Sequence, residues 1–98
     1  MEKHREAQLR QMLDQVLLVG CGAVRWDELY LWLGVRRMTK GPWRVIRDMW
    51  VDLCQEQGHS KPIKLRLVTP DSPAQSMAIF RREQAPGEKF DDVSILAE

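Results

Sequence analysis

Side chains that can bind an anion are concentrated in the middle of this chain. The segment from Arg36 to Lys40 carries three cations in five residues, and two further arginines, Arg44 and Arg47, follow it. Guanidinium and ammonium groups neutralise phosphates, and a guanidinium can also bridge O6 and N7 of a guanine with two hydrogen bonds. These residues therefore predict recognition of an anionic partner.

The charge is unevenly distributed along the sequence. The net charge is +1 over 98 residues, but residues 25–66 carry nine basic and five acidic groups, whereas residues 67–98 carry three basic and six acidic groups. The middle of the chain is thus +4 and the C-terminal third is −3. A local excess of positive charge attracts anions even when the total charge is close to zero, which favours an anionic partner for the central segment.

The other reactive side chains do not form a pattern typical of catalysis or metal binding. Cys54 and His59 lie on either side of a predicted helix end, Cys21 is distant, and His4 is close to the N-terminus. Structural zinc sites use four ligands at tighter paired spacings, and a nucleophilic Cys or Ser needs a positioned His. The segment Gly20-Cys21-Gly22 also lacks the next glycine and the preceding strand of a phosphate-binding loop. We therefore expect no enzyme activity, no metal, no cofactor and two buried free thiols.

Three amphipathic helices are predicted to position the basic segment. Apolar spacings of three and four predict a first helix over residues 5–19. A second helix begins near Trp26 and ends at Gly34, which can adopt the left-handed conformation, and a third begins at Gly41-Pro42, where proline suits the first helical position. In the second helix either Trp26 or Trp32 can face inward with its leucines, which leaves two alternatives open. The other residues expected to face the core are Leu9, Met12, Leu13, Val16, Leu17, Leu29, Leu33, Ile46, Met49, Trp50 and Leu53, with Trp43 and Cys54 beside them.

After Pro62 the apolar period changes from 3.6 to 2, which predicts β-structure. Ile63, Leu65 and Leu67 are expected to face inward from a first strand, and a turn-rich segment over residues 69–74 follows. A second strand over residues 76–82 can turn either of its faces inward, so the pair Met77 and Ile79 and the pair Ala78 and Phe80 remain open alternatives. Residues 1–85 are predicted to form one domain, and residues 86–98 an acidic, flexible tail.

The order helix, short strand, helix, turn, helix and two-stranded hairpin, over about residues 5–82, resembles the winged helix-turn-helix family. The most specific local feature is the segment WDELYLWLGV, residues 26–35. The resemblance implies a mainly α fold with a small β part, that is, three helices and a two-stranded antiparallel wing. In this family the third helix commonly enters the major groove of DNA, and the wing lies along the backbone or in the minor groove.

Carried over to this sequence, the resemblance implies a set of DNA-binding residues from the turn, the third helix and the wing. Arg44 and Arg47 would contact base edges, and the cations of the turn and the wing would contact phosphates. The turn between Gly34 and Pro42 is longer than in a compact helix-turn-helix, and Trp43 occupies an early helical position where a small polar residue often reads a base. The complete set is Arg36, Arg37, Thr39, Lys40, Arg44, Arg47, Lys64 and Arg66.

Two functions are consistent with this sequence. The first is a duplex DNA-binding protein, such as a transcriptional or accessory regulator. The second is a protein-interaction adaptor of the same fold, which would use exposed aromatics near Tyr30, Trp32 and Trp43 together with the acidic tail. Either could be a homodimer through the first helix or the tail. No signal peptide and no apolar run of membrane-spanning length is visible, so we expect no membrane contact and a cytoplasmic location.

Overall fold

The described part of the chain contains four helices and a four-stranded antiparallel sheet. The computed structural model describes residues 2–69, 76–83, 87 and 89–98. The helices are α1 (Lys3–Val19), α2 (Trp26–Leu33), α3 (Lys40–Glu56) and α4 (Val93–Leu96). The strands are β1 (Cys21–Arg25), β2 (Arg66–Thr69), β3 (Met77–Arg81) and β4 (Lys89–Asp92). No helix within these ranges is both long enough and apolar enough to cross a membrane.

The two long helices, α1 and α3, bury the apolar faces that their spacings predict. Gly20 and Gly34 have φ angles of 103° and 68° and end α1 and α2 in the left-handed conformation, as expected for residues without a Cβ. The third helix begins at Lys40, one residue before the predicted start. The buried residues of the two long helices are Leu9, Met12, Leu13, Val16, Leu17, Trp43, Ile46, Met49, Trp50, Leu53 and Cys54.

One face of the sheet packs against the helices. The strand order is β1-β3-β2-β4, and each neighbouring pair is antiparallel. Ala78 and Phe80 are the buried residues of β3, which decides between the two faces that the sequence leaves open. At the same level of the sheet, a Cβ on Gly22 would lie 2.7 Å from Val16 Cγ2, so α1 approaches β1 where β1 has no side chain. The predicted hairpin of β2 and β3 is present, and its tip, residues 70–75, lies outside the described residues.

The sheet has two more strands than the predicted wing, and both additions depend on distant pairing. β1 pairs with β3, which lies more than 50 residues further along the chain. Residues 86–98 are predicted as a flexible tail, but Lys89–Asp92 pair with β2 as β4. Val93 and Ala97 then enter the core with exposed fractions of 1% and 0%. Residues 89–97 thus form part of the sheet and the core, because the few apolar side chains among the acids are spaced to reach the core.

The connection between α3 and β2 is held by a buried indole. Trp50 Nε1 donates a hydrogen bond of 2.6 Å to the carbonyl oxygen of Ile63. Because the Trp50 side chain is almost fully buried in the core, this bond fixes the chain just before the sheet begins. Lys64, which the sequence assigns to the wing, therefore follows an anchored residue.

Candidate nucleic-acid interface

Residues 35–40, which lead from the end of α2 to the first residue of α3, present three cations to solvent and are called here the basic turn. Arg36, Arg37 and Lys40 are exposed, and within the described ranges none of them has an ion-pair or hydrogen-bond partner. Thr39 is the N-cap of α3 but its side chain makes no capping hydrogen bond, and the first turn of α3 contains no acidic residue. The positive end of the helix therefore lies beside three unpaired cations.

Both ends of the basic turn are fixed to the fold. At the start, Val35 N donates to Tyr30 O at 3.0 Å, and Gly34 closes α2. At the other end, Trp43 is buried in the first turns of α3, and Met38 between them packs partly against the core. Because the apolar residues of this segment face inward, the cations between them face solvent.

The two arginines expected to contact base edges donate hydrogen bonds to acceptors of this chain instead. Arg44 Nε donates to the carbonyl oxygen of Ala97 at 2.7 Å, which joins α3 to the end of α4. Arg47 donates from Nε and Nη2 to Asp48 Oδ1 at 3.1 and 3.0 Å. Arg44 and Arg47 thus have hydrogen-bond partners within the chain, unlike the unpaired cations of the basic turn, although all of them lie within 12 residues of the sequence.

The solvent-facing side of α3 carries acids as well as arginines. Asp48 and Asp52 are exposed, and Arg10 of α1 lies 3.7 Å from Asp52 Oδ2 and 2.6 Å from Glu56 Oε2. Residues Glu6, Val45 and Met49 complete the groove between α1 and α3 next to these acids. The positive potential of α3 is therefore concentrated at its N-terminal end.

On the wing side, the two predicted contacts differ in their availability. Lys64 is exposed and has no partner among the residues that the structure describes. Arg66 is half-buried, donates from Nη1 to the carbonyl oxygen of Arg82 at 3.3 Å, and lies opposite Asp92 of β4. Lys64 is thus available to bind an anion, whereas Arg66 is largely engaged in the sheet.

The aromatic side chains expected at a protein interface are mostly covered. Trp43 is buried, with 7% exposed, which excludes it as a surface anchor in this state. Tyr30 and Trp32 are half-buried, and the Tyr30 ring lies 6.1 Å from that of Trp26. The large apolar side chains that are exposed in the described part of the chain are aliphatic, and none of them was expected at an interface. Several lie outside the predicted stripes, which is the signal that could have identified them. They are Leu18, Val19, Leu31, Val45 and Ile95.

No metal or thiol site is assembled in the described part of the chain. Within it, no group of three or more His, Cys, Asp and Glu side chains is arranged to hold a metal ion. Cys54 is a buried free thiol as predicted, whereas Cys21 is only half-buried because its side chain lies on the outer face of the sheet. Comparisons with protein families, curated proteins and solved structures find no match for this chain.

Proposed function

We propose that this chain is a winged helix-turn-helix domain that binds duplex DNA mainly through its phosphates. Support for the fold comes from the order α1, β1, α2, α3, β2, β3 and from the position of β3 between β1 and β2. In this proposal β4 and α4 are additions at the far edge of the sheet. The helix-turn-helix is then α2 and α3, and the hairpin of β2 and β3 is the wing.

The observation that carries the proposal is the group of unpaired cations in the basic turn, next to the uncapped N-terminus of α3. Arg36, Arg37 and Lys40 have no carboxylate to neutralise them among the described residues. A phosphate placed here meets both side-chain charge and the N–H groups at the positive helix end. Each phosphate neutralised also releases condensed counterions, which supplies affinity without base contacts.

The roles of the remaining residues follow from their partners. Lys64 provides a second phosphate contact from the wing side. Arg44 and Arg47 stabilise α4 and the surface of α3, so base reading is not assigned to them. Phosphate contacts position a protein on DNA but carry no sequence information directly, and we therefore infer binding with low sequence preference.

The proposal is tested by the salt dependence of binding to a labelled generic duplex, followed by fluorescence anisotropy. The double variant Arg36→Gln/Arg37→Gln should weaken binding at low salt and lower the slope of log K against log salt by about two, because two phosphate contacts are lost. The matched control Lys3→Gln/Lys61→Gln removes the same charge from other exposed positions and should leave the slope nearly unchanged.

Two results would contradict the DNA proposal. Equal losses for the double variant and its control would mean that only total charge matters, and no binding even at low salt would exclude duplex DNA as the main partner. The second candidate, a protein-binding adaptor, is favoured by one observation, the acids Asp48 and Asp52 on the solvent-facing side of α3. In that case Asp48→Lys/Asp52→Lys should abolish capture of the partner protein.

A further inference from the structure

β1 is an edge strand whose outward hydrogen-bonding groups are unused. Trp26 N donates to Ser76 O, and Arg82 N donates to Gly20 O. Antiparallel pairs alternate between bonded and non-bonded positions, so residues 20, 22, 24 and 26 of this register bond to β3 and its continuation. The N–H and C=O groups of Cys21 and Ala23 and the N–H of Arg25 therefore point away from β3, and those of Cys21 and Ala23 have no partner in the described ranges. The C=O of Arg25, the N-cap of α2, accepts the first hydrogen bond of that helix.

The space beside this edge is open. A groove of about 300 Å³ runs past Ala23 and Val24 between α1 and α2, and its walls include Gln11 of α1 and Trp32 of α2. Ala23 itself is exposed, and β1 contains no proline. Natural sheets usually protect an edge with charge, proline, a bulge or a covering element. The centre of β1 carries none of these among the described residues.

The two ends of β1 have complementary surfaces. Leu18 and Val19, 64% and 68% exposed, precede the strand. Arg82 lies at the same end, where its Nη1 donates to Leu17 O at 3.0 Å. At the other end, α2 begins with the half-buried ring pair of Trp26 and Tyr30 and with two exposed acids. Asp27 pairs with Arg25 Nη2 at 2.9 Å, which leaves Glu28 as the acid available to a partner.

We propose that a second copy of this chain pairs with β1 along this edge, antiparallel and about a two-fold axis at Ala23. In this arrangement Ala23 lies opposite Ala23 of the second copy, and Cys21 lies opposite Arg25. The outward N–H and C=O groups of the two strands then satisfy each other, and two four-stranded sheets become one continuous sheet. The small side chain at the axis leaves room for the two backbones.

The same two-fold axis brings the two complementary ends of β1 together. Antiparallel pairing places the start of one β1 alongside the end of the other, so Leu18 and Val19 approach the Trp26 and Tyr30 rings of the second copy. It also places Arg82 near Glu28 of the second copy. Because the contact is isologous, each of these matches occurs twice, which a lone extended peptide cannot reproduce. This charge and apolar complementarity favours a second copy as the occupant.

This inference goes beyond the proposed function and does not depend on it, because no residue of the basic turn takes part. Its test is the oligomeric state of the whole chain without DNA, measured by sedimentation equilibrium over a concentration series. The unmodified protein should show a reversible monomer–dimer equilibrium. Ala23→Glu and Ala23→Lys should each raise the dimer dissociation constant about tenfold or more, because like charges meet at the axis.

Mixing the two variants is the decisive part of this experiment. A mixture of the Ala23→Glu and Ala23→Lys proteins should recover dimer, now as a heterodimer with opposite charges at the axis. The matched controls Gln55→Glu and Gln55→Lys, at an exposed position on α3, should dimerise like the unmodified chain, alone or mixed. A dimer that is insensitive to Ala23 charge would overturn the proposed interface.

A cross-linking measurement tests the register independently. Directly opposed residues of a bonded antiparallel pair have Cα atoms about 5.5 Å apart, within the range that a disulfide spans. Ala23→Cys in a Cys21→Ser background should therefore form a covalent dimer under mild oxidation, whereas Gln55→Cys in the same background should not. Monomers at every concentration together with no selective cross-link would overturn the proposal.

Discussion

At the scale of single residues, the charge of a side chain and its availability are separate properties. Arg36 and Arg44 are both exposed arginines near the start of α3, and the sequence assigns both to DNA. The partner of Arg44 is a backbone carbonyl 53 residues away in sequence, at the end of α4. Such an acceptor belongs to every residue and leaves no sequence signal, so spacing alone could not show that Arg44 is engaged.

Replacing Arg44 tests its reassignment from base reading to structure. We expect Arg44→Gln to lower the free energy of unfolding by about 1 kcal/mol, because a charge-assisted hydrogen bond to Ala97 is lost at a partly exposed site. Urea denaturation measures this change. In the anisotropy assay the same variant should bind DNA with the affinity of Lys3→Gln, which removes one charge elsewhere. A much larger loss of affinity, or a changed sequence preference, would mean that Arg44 contacts DNA.

At the scale of elements, β4 and α4 turn the acidic end of the chain into part of the fold. Asp92 is the N-cap of α4, and its Oδ1 accepts a hydrogen bond of 2.9 Å from Ser94 N. The apolar residues that follow include Val93 and Ala97, which are buried, and Ile95, which is exposed. One face of this short helix thus closes the core beside α3, and the other faces solvent.

This asymmetry gives a matched pair of substitutions within one helical turn. Val93→Ala should lower the free energy of unfolding by about 2 kcal/mol, because buried methyl groups are removed from a packed site. Ile95→Ala removes more apolar surface from an exposed position and should change stability by no more than about 0.5 kcal/mol. Equal small effects in urea denaturation would show that residues 93–97 do not contribute to the core.

The sequence predicts the helices of this fold better than its sheet. The 3.6-residue period of α1 and α3 is local, so Leu9, Val16, Ile46 and their neighbours identify the buried faces directly. In β3 both faces are apolar, and only pairing with β1 and packing under the helices select Phe80 as inward. β4 contains Lys89-Phe90-Asp91-Asp92, a composition with weak strand preference, and it becomes a strand because the edge of β2 is available.

The candidate site, too, could be predicted from the sequence only in part. A dense run of cations such as the basic turn is visible in the sequence, and its exposure follows from the apolar residues on both sides. Whether a cation is paired depends on distant residues, as the contacts of Arg44 with Ala97 and of Arg66 with Arg82 illustrate. The unused edge of β1 could not be predicted, because it requires knowledge of the strand order.

At the scale of the whole molecule, the two charged segments of the sequence fold against each other. Arg66 of the positive middle lies opposite Asp92 of the negative C-terminal third, and α4 packs on α3. The acids of α3 itself, Asp48 and Asp52, lie further along the helix that the basic turn precedes. The proposed DNA surface is therefore a positive end bordered by negative charge, which limits how much of α3 a duplex can approach.

Neutralising one of these acids should extend the positive surface. We expect Asp48→Asn to increase affinity for the generic duplex a few-fold at low salt, because a repelling charge is removed and Arg47 loses its carboxylate partner. The gain should shrink as salt is raised. An unchanged or reduced affinity in the anisotropy assay would mean that bound DNA does not lie near the middle of α3.

The strand order also determines when the fold can assemble during synthesis. β1 leaves the ribosome before its partner β3, which is encoded about 60 residues later, with Cys21 opposite Arg81. Until β3 emerges, both edges of β1 are unpaired next to the apolar face of α1, and pairing then requires closure of a long loop. The nascent chain thus carries β1 with both edges open to pairing while about 60 further residues are synthesised.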